Sequence, residues 1–431
     1  MTTAPALWRT TREFPPPVRL LMANQFAINL AFYMLMPYLA AHLSGDLGLA
    51  AWTVGLVLGV RNLSQQGMFL IGGTLADRFG CKGPILAGCL LRTGGFALLG
   101  WVDNLPALLA ASAATGFAGA LFNPAVRTYI AAGAGPDRRV AAFAAFNVYY
   151  QAGMLLGPLV GLALLAVDFR AVCTVAAAIF AALTVLQWRA LPPSPGVEGA
   201  PGSVPERQPG VLAQWRRVAA NRPFLLFSLA MTGSAVLTFQ TYLALPLAAA
   251  AAFGERLGTA ATSGLFVLSA VVTVLAQLRL TGWAQRRWSG QQTLVHGLAV
   301  LGLAFLPLAA TAALPAAASP TLLLPSLALG VAVTGLALGG ALVYPFEMDT
   351  VVALAGGRLV ATHYGLYSTI CGLGITLGNL LIGGLWEWSG QHNAAWLPWI
   401  CLTVTGASCA AALRALARKG RLDAPRFAPV A

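Results

Sequence analysis

Apolar residues run through this sequence in long blocks, without the strand or helix spacing of a half-buried element. Blocks of spanning length occupy 18–43, 52–76, 83–102, 105–131, 140–167 and 170–190, then 223–252, 259–282, 292–313, 320–352, 360–386 and 394–416. A helix rises 1.5 Å per residue, so about 20 apolar residues cross the hydrocarbon core of a bilayer. Each block predicts one membrane-crossing α-helix, and the count is six and six. Strands of a membrane barrel would alternate over about ten residues instead. Residues 191–222 interrupt the blocks with Pro192, Pro193, Pro195, Pro201, Pro205 and Pro209, which exclude a regular helix and predict an extended linker. Its last part, Val211 to Ala220, predicts a short helix on the membrane surface, with Trp215 at the interface and Arg216 and Arg217 toward lipid headgroups. The expected organisation is an N-terminal six-helix half over 1–190, a Pro/Gly-rich linker over 191–222, and a C-terminal six-helix half with a short tail over 223–431. The fold class is an all-α polytopic membrane protein with 12 transmembrane helices.

Composition sharpens this picture. Of 431 residues, 58% are hydrophobic and 9% charged, against about 25% charged in soluble domains. A soluble enzyme is excluded. The net charge of +13 would suit nucleic acid if it formed a patch, but the basic residues sit in short loops. With the N-terminus in the cytoplasm, 22 of the 26 Lys and Arg fall on that side. Only Arg170 and Arg256 fall opposite, and Arg61 and Arg92 lie inside spans. The positive-inside rule then puts both termini and the linker in the cytoplasm of a multi-pass plasma-membrane protein. The first 16 residues are polar and mixed, and the first apolar run is too long for a cleavable signal. Six cysteines without a C-x-x-C pair predict small core residues, with no metal or cofactor.

The chain also repeats. Gly119-Ala-Leu-Phe-Asn-Pro124 recurs as Gly340-Ala-Leu-Val-Tyr-Pro345, 221 residues on. At the same shift Phe143 and Phe146 fall on Tyr364 and Tyr367, and Gly153 and Gly157 on Gly374 and Gly378. Two related six-helix halves are a transporter architecture, with the substrate near the midplane.

The loop after the second span reads Gly73-Thr-Leu-Ala-Asp77-Arg78-Phe-Gly80-Cys-Lys82. Gly73 permits close helix approach, Gly80 a turn with positive φ, and Asp77 an acid that a helix N-terminus or Arg78 can stabilise. This run resembles the G-x-L-A-D-R-x-G-R-K signature of the major facilitator superfamily. The resemblance implies a latch between the halves, falling on Gly73, Asp77, Arg78, Gly80 and Lys82, with Cys81 where a basic residue is usual. The fifth span carries Gly153-x-x-x-Gly157-Pro158-x-x-Gly161, a small-residue packing seam that resembles the superfamily's antiporter signature. Leu58-Gly-Val-Arg61-Asn-Leu-Ser-Gln65-Gln66-Gly67, Leu91-Arg92-x-x-Gly95-Phe96 and Asp168-Phe169-Arg170 look like bacterial MdtH-type multidrug-resistance transporters, most clearly over 50–185. That resemblance implies a small-molecule substrate, alternating access, and a proton as coupling ion.

Two features depart from drug/proton antiporters. The first span offers Asn24, Gln25 and Asn29 where an acid is common, and the fourth lacks an Arg at depth. Arg61 and Arg92 must face protein or a water-filled cavity, as packing residues or as a cationic cavity wall. Asn29, Tyr33, Gln65, Tyr149, Gln151, Gln240 and Asn379 are the neutral cavity candidates. Glu347 and Asp349, just after Pro345, are the candidate proton carriers, with His296 and His363 behind them. No catalytic cluster and no P-loop is present, which excludes an embedded enzyme and an ATP-driven pump. The expectation is a monomer in lipid that exports drug-like or amphipathic molecules. The alternative is a carrier of an anionic metabolite or lipid headgroup through Arg61 and Arg92.

Overall fold

The computed structural model describes residues 3–193, 210–314 and 322–422, and every regular element there is helical. The linker prolines Pro195, Pro201, Pro205 and Pro209 lie outside the described residues. The helices are α1 (Thr3–Arg12), α2 (Pro16–Ala41), α3 (Ala51–Phe79), α4 (Lys82–Trp101), α5 (Leu105–Ala134), α6 (Arg139–Leu165) and α7 (Phe169–Ala190). They continue with α8 (Val211–Ala219), α9 (Arg222–Phe239), α10 (Ala244–Arg287), α11 (Gly290–Leu303), α12 (Leu306–Ala312), α13 (Leu323–Ala355), α14 (Val360–Gln391) and α15 (Leu397–Arg418). Gly254, at φ 76°, breaks α10 into two pieces. Glycine takes this left-handed conformation without a Cβ penalty.

Eleven described stretches are long and apolar enough to cross a membrane. The remaining span is α3, whose polar run Arg61-Asn-Leu-Ser-Gln-Gln66 lowers its hydropathy. Its 29 residues still reach roughly 43 Å. The predicted blocks therefore fall on helices, although the block 223–252 is shared by α9 and the start of α10, and the block 292–313 by α11 and α12. Large apolar side chains face outward, with Leu63 and Leu381 each 73% exposed, as in a protein solvated by lipid.

The described chain gathers into two compact units, Met1–Asn221 with Val351–Thr369, and Arg222–Thr350 with Ile370–Ala431. In the first, α2 packs on α6, and α5 packs on α3 and α4. Small residues set the distance. A Cβ built at Gly116 would overlap the carbonyl oxygen of Arg61, and one at Gly72 that of Ala120. In the second, α15 packs on α9 and α11, and Gly302 and Gly406 meet backbone to backbone.

One local expectation changes, and a stretch for which no element was expected proves helical. The N-terminal stretch read as polar and mixed is helix α1. It is tied down by Thr11, whose hydroxyl lies 3.3 Å from that of Tyr149. Arg138 adds a 3.0 Å bond to the carbonyl of Glu13. The linker helix forms as α8, but Trp215 does not serve a lipid interface. Its indole N–H donates to Thr74 Oγ1 at 2.8 Å, and Val218 is fully buried. A partly buried indole N–H needs an acceptor, and Thr74 has a lone pair left after donating to the Leu70 carbonyl. Arg216 and Arg217 are exposed.

Candidate functional site

The residues singled out by sequence fall into three groups. The first surrounds Asp77. Helix α14 begins after Leu359, whose backbone is left-handed at φ 51° and whose side chain offers no acceptor for the helix's first N–H groups. Such groups are usually satisfied by a local Ser, Thr, Asp or Asn. Here Asp77 does so from another helix. Its carboxylate accepts from Ala361 N–H at 3.1 Å and Thr362 N–H at 2.7 Å, and from the Thr362 hydroxyl at 2.6 Å. An anion at a helix N-terminus also gains from the helix dipole. Gly73 makes the approach possible, because a Cβ there would overlap the carbonyl oxygen of Ala361. Gly80, at φ 78°, ends α3. Lys82 turns elsewhere and donates to the Trp188 carbonyl at 3.0 Å, near the end of α7, where a cation suits the dipole. Arg78 is partly buried beside Asp77.

His363 lies one residue beyond Thr362. Its Nδ1 sits 2.8 Å from the Leu359 carbonyl, so that nitrogen carries the proton. Its Nε2 then accepts from the Asn221 amide at 3.3 Å, and the same amide donates to the Leu354 carbonyl at 3.0 Å. Phe143 and Tyr364, which the 221-residue shift pairs in sequence, meet edge-to-face with centroids 6.5 Å apart.

The second group lies about midway along α2, α3, α4 and α6. Arg61 donates to Asn62 Oδ1 at 2.6 Å and reaches Gln65 Oε1 at 3.4 Å. Arg92 is only 7% exposed. Its guanidinium lies 5.6, 5.8 and 5.4 Å from the ring centroids of Phe32, Phe122 and Phe180, and that of Arg61 lies 5.2 Å from Phe32. Gln65 and Arg92 close on the same spot, since a Cβ at Gly119 would lie 3.1 Å from Gln65 Cδ and 3.3 Å from Arg92 Nη2. Across from them Asn29 donates to the Tyr150 carbonyl at 3.2 Å, and the hydroxyls of Tyr33 and Tyr150 are 3.3 Å apart. Tyr33 is within electrostatic reach of both guanidiniums. Among the described residues no carboxylate pairs with Arg61 or Arg92.

The structure thus brings together Asn29, Tyr33, Arg61, Gln65 and Arg92. Tyr149 points instead to Thr11, and Gln151 is an amide with a buried Oε1. Tyr150, Phe32, Phe122 and Phe180 belong to the cluster and were not singled out. Tyr149 and Tyr150 flank the same glycine seam at one turn's distance from Gly153, so helical spacing could not choose between them.

The third group lies in the second unit. Gln240 is fully buried and donates to Asn379 Oδ1 at 3.2 Å. Glu347 is buried and Asp349 partly buried on α13, after Pro345. His296 packs its ring 4.3 Å from that of Trp288, a ring contact. Gly153, Gly157 and Gly161 of α6 abut the α2 backbone at Phe26, Leu30 and Met34, and the Pro158 carbonyl accepts from the Tyr38 hydroxyl at 2.7 Å.

Known proteins share this plan. The solved E. coli fucose:proton symporter FucP superimposes with a TM-score of 0.69 at 13% identity, over 92% of this chain and 98% of that one. The human organic anion transporter MFSD10 superimposes with a TM-score of 0.67 at 16% identity, over 93% and 100%. In sequence, the MFS-type transporter Rv0849 of Mycobacterium tuberculosis is 51% identical over 405 residues, 94% of each chain. The multidrug resistance protein MdtH of Yersinia pestis is 28% identical over 387 residues, 90% of each. The Major Facilitator Superfamily profile matches residues 21–379. With eleven described stretches long and apolar enough to cross a membrane, α3 beside them, and that match over most of its length, the chain belongs to the Major Facilitator Superfamily.

Proposed function

We propose that this transporter exports drug-like or amphipathic small molecules by alternating access, in exchange for protons. The observation that carries the reading is the cluster at mid-span on α2, α3, α4 and α6, where amide and phenol groups stand among aromatic rings. Aromatic walls with a few convergent polar groups suit varied amphipathic ligands. Similarity to MdtH over 90% of the chain supports the same substrate class.

Asp77 supplies the conformational element of this reading. Its carboxylate meets α14 through three hydrogen bonds, which in this reading are made and broken once per cycle. Both termini and the linker face the cytoplasm in this reading, as the distribution of Arg and Lys supports. The coupling protons ride on Glu347 and Asp349, the acids that sequence places within a span.

The test is transport in proteoliposomes with an imposed pH gradient, using a panel of fluorescent amphipathic compounds. The reading expects uphill movement that stops when the gradient is collapsed. Downhill movement indifferent to the gradient removes proton coupling. No movement of any compound in the panel removes the substrate class.

A further inference from the structure

We infer that Arg61 and Arg92 form a binding subsite for the anionic group of an amphipathic acid, with Phe32 beside both guanidiniums. The inference rests on the transport reading and narrows its substrate class.

Several observations meet here. Two guanidinium groups stand inside membrane spans, where a charge is costly unless it finds a partner or a water-filled space. Neither pairs with a carboxylate among the described residues. The rings of Phe32, Phe122 and Phe180 offset part of the cost for Arg92 through their π faces, but rings do not neutralise charge. Arg92 Nε, in a side chain more than nine-tenths buried, has no hydrogen-bond partner. The two cations are also within electrostatic reach of each other, an arrangement that favours a bound anion.

The bonds of Arg61 leave donor capacity. It spends one Nη on Asn62 and makes a long contact to Gln65, whereas a guanidinium has five N–H groups. Arg61 is partly exposed and Arg92 buried, and both guanidiniums lie within about 6 Å of the Phe32 ring centroid. A planar carboxylate entering past Arg61 finds guanidinium forks suited to its two oxygens. The aromatic rings then receive its apolar body.

The protein is placed in phosphatidylcholine nanodiscs and titrated with 2-naphthoate and, separately, with its uncharged methyl ester. The inference expects half-saturation by naphthoate at about one-tenth the ester concentration or lower, a tenfold ratio corresponding to one guanidinium contact. Arg61→Gln should raise the naphthoate value about tenfold and leave the ester within about twofold. Arg92→Lys keeps the charge without the fork, and should weaken naphthoate binding while the protein remains folded. Equal binding of acid and ester by the unmodified protein overturns the inference, as does an equal loss of both in Arg61→Gln or no binding of the acid. Repeating the titration in discs containing phosphatidylglycerol separates the sources of the anion. If naphthoate binding disappears there, a lipid headgroup fills the subsite and the substrate assignment falls. The two readings also fail separately. Acid that binds in discs, while no compound of the panel is moved in proteoliposomes, leaves the subsite standing and removes export. Transport blind to charge leaves export standing and removes the subsite.

Discussion

Thr362 gives Asp77 two hydrogen bonds at once: its backbone N–H reaches Oδ2 at 2.7 Å and its hydroxyl reaches the same oxygen at 2.6 Å. With Ala361 N–H on Oδ1, the carboxylate caps a helix whose own preceding residue cannot. Hydrogen bonds to a charged group contribute about 1.5–3 kcal/mol each. Asp77→Asn keeps the shape but loses the charge and turns an NH2 group toward donors. Transport should fall about tenfold or more, with folded yield in the membrane within about twofold, because each 1.4 kcal/mol is a factor of ten. Yield is read from fluorescence-detected size exclusion. Normal transport would show that the cap has no part in the cycle.

Gly73, near the end of α3, and Gly83, at the start of α4, make a matched pair. A Cβ at Gly73 would overlap the Ala361 carbonyl, while one at Gly83 meets nothing within 4 Å. Gly73→Ala should lower the thermal midpoint and impair transport, since overpacking costs about 1–3 kcal/mol. Gly83→Ala should leave both unchanged. A harmless Gly73→Ala would mean the α14 end does not approach α3 this closely.

Trp215 and Thr74 tie α8 to α3 through one bond. Trp215→Phe and Thr74→Val should each destabilise the protein, and the double variant should lose about 1 kcal/mol less than the sum. Simple additivity in thermal denaturation would dissolve the tie. Limited proteolysis should also cut the linker faster in either variant.

Glu347 and Asp349 carry the proton in the reading proposed above. Changing both, Glu347→Gln with Asp349→Asn, should abolish accumulation driven by a pH gradient while exchange at equal pH continues. Undiminished accumulation would put the proton elsewhere. Loss of both activities together with poor folded yield would make the pair structural.

The helices were legible because lipid demands uniformly apolar blocks about 20 residues long, which flank polar loops sharply. The capping of α14 by Asp77 was only half legible. The motif marks the acid, but its partners Ala361 and Thr362 lie 284 and 285 residues away, and nothing local announces them. The absence of a capping residue at Leu359 was the available signal. Helix α1 was not legible as a docked element, because its anchor, the Tyr149 hydroxyl, comes from a residue 138 positions later. Among the cavity candidates, charge and helix position identified Arg61 and Arg92. The rings around them are ordinary Phe residues, and in an apolar span a Phe carries no mark of its neighbour.

The glycine seam between α2 and α6 has a consequence for sliding. Gly153, Gly157 and Gly161 meet Phe26, Leu30 and Met34, so both ladders have rungs four residues apart. Two such ladders fit nearly as well after slipping one rung, about 6 Å, and the seam alone therefore fixes how close the helices lie but not their offset. The offset is set by bonds that do not repeat: Asn29 to the Tyr150 carbonyl and the Tyr38 hydroxyl to the Pro158 carbonyl. One rung of slip would break both and bring Tyr149 or Leu165 against the glycine track. The second unit keeps the rungs at Gly374 and Gly378 but sets them against the branched side chains of Thr232 and Val236. There the teeth themselves interlock, and the Gln240–Asn379 pair is the pin that marks the notch.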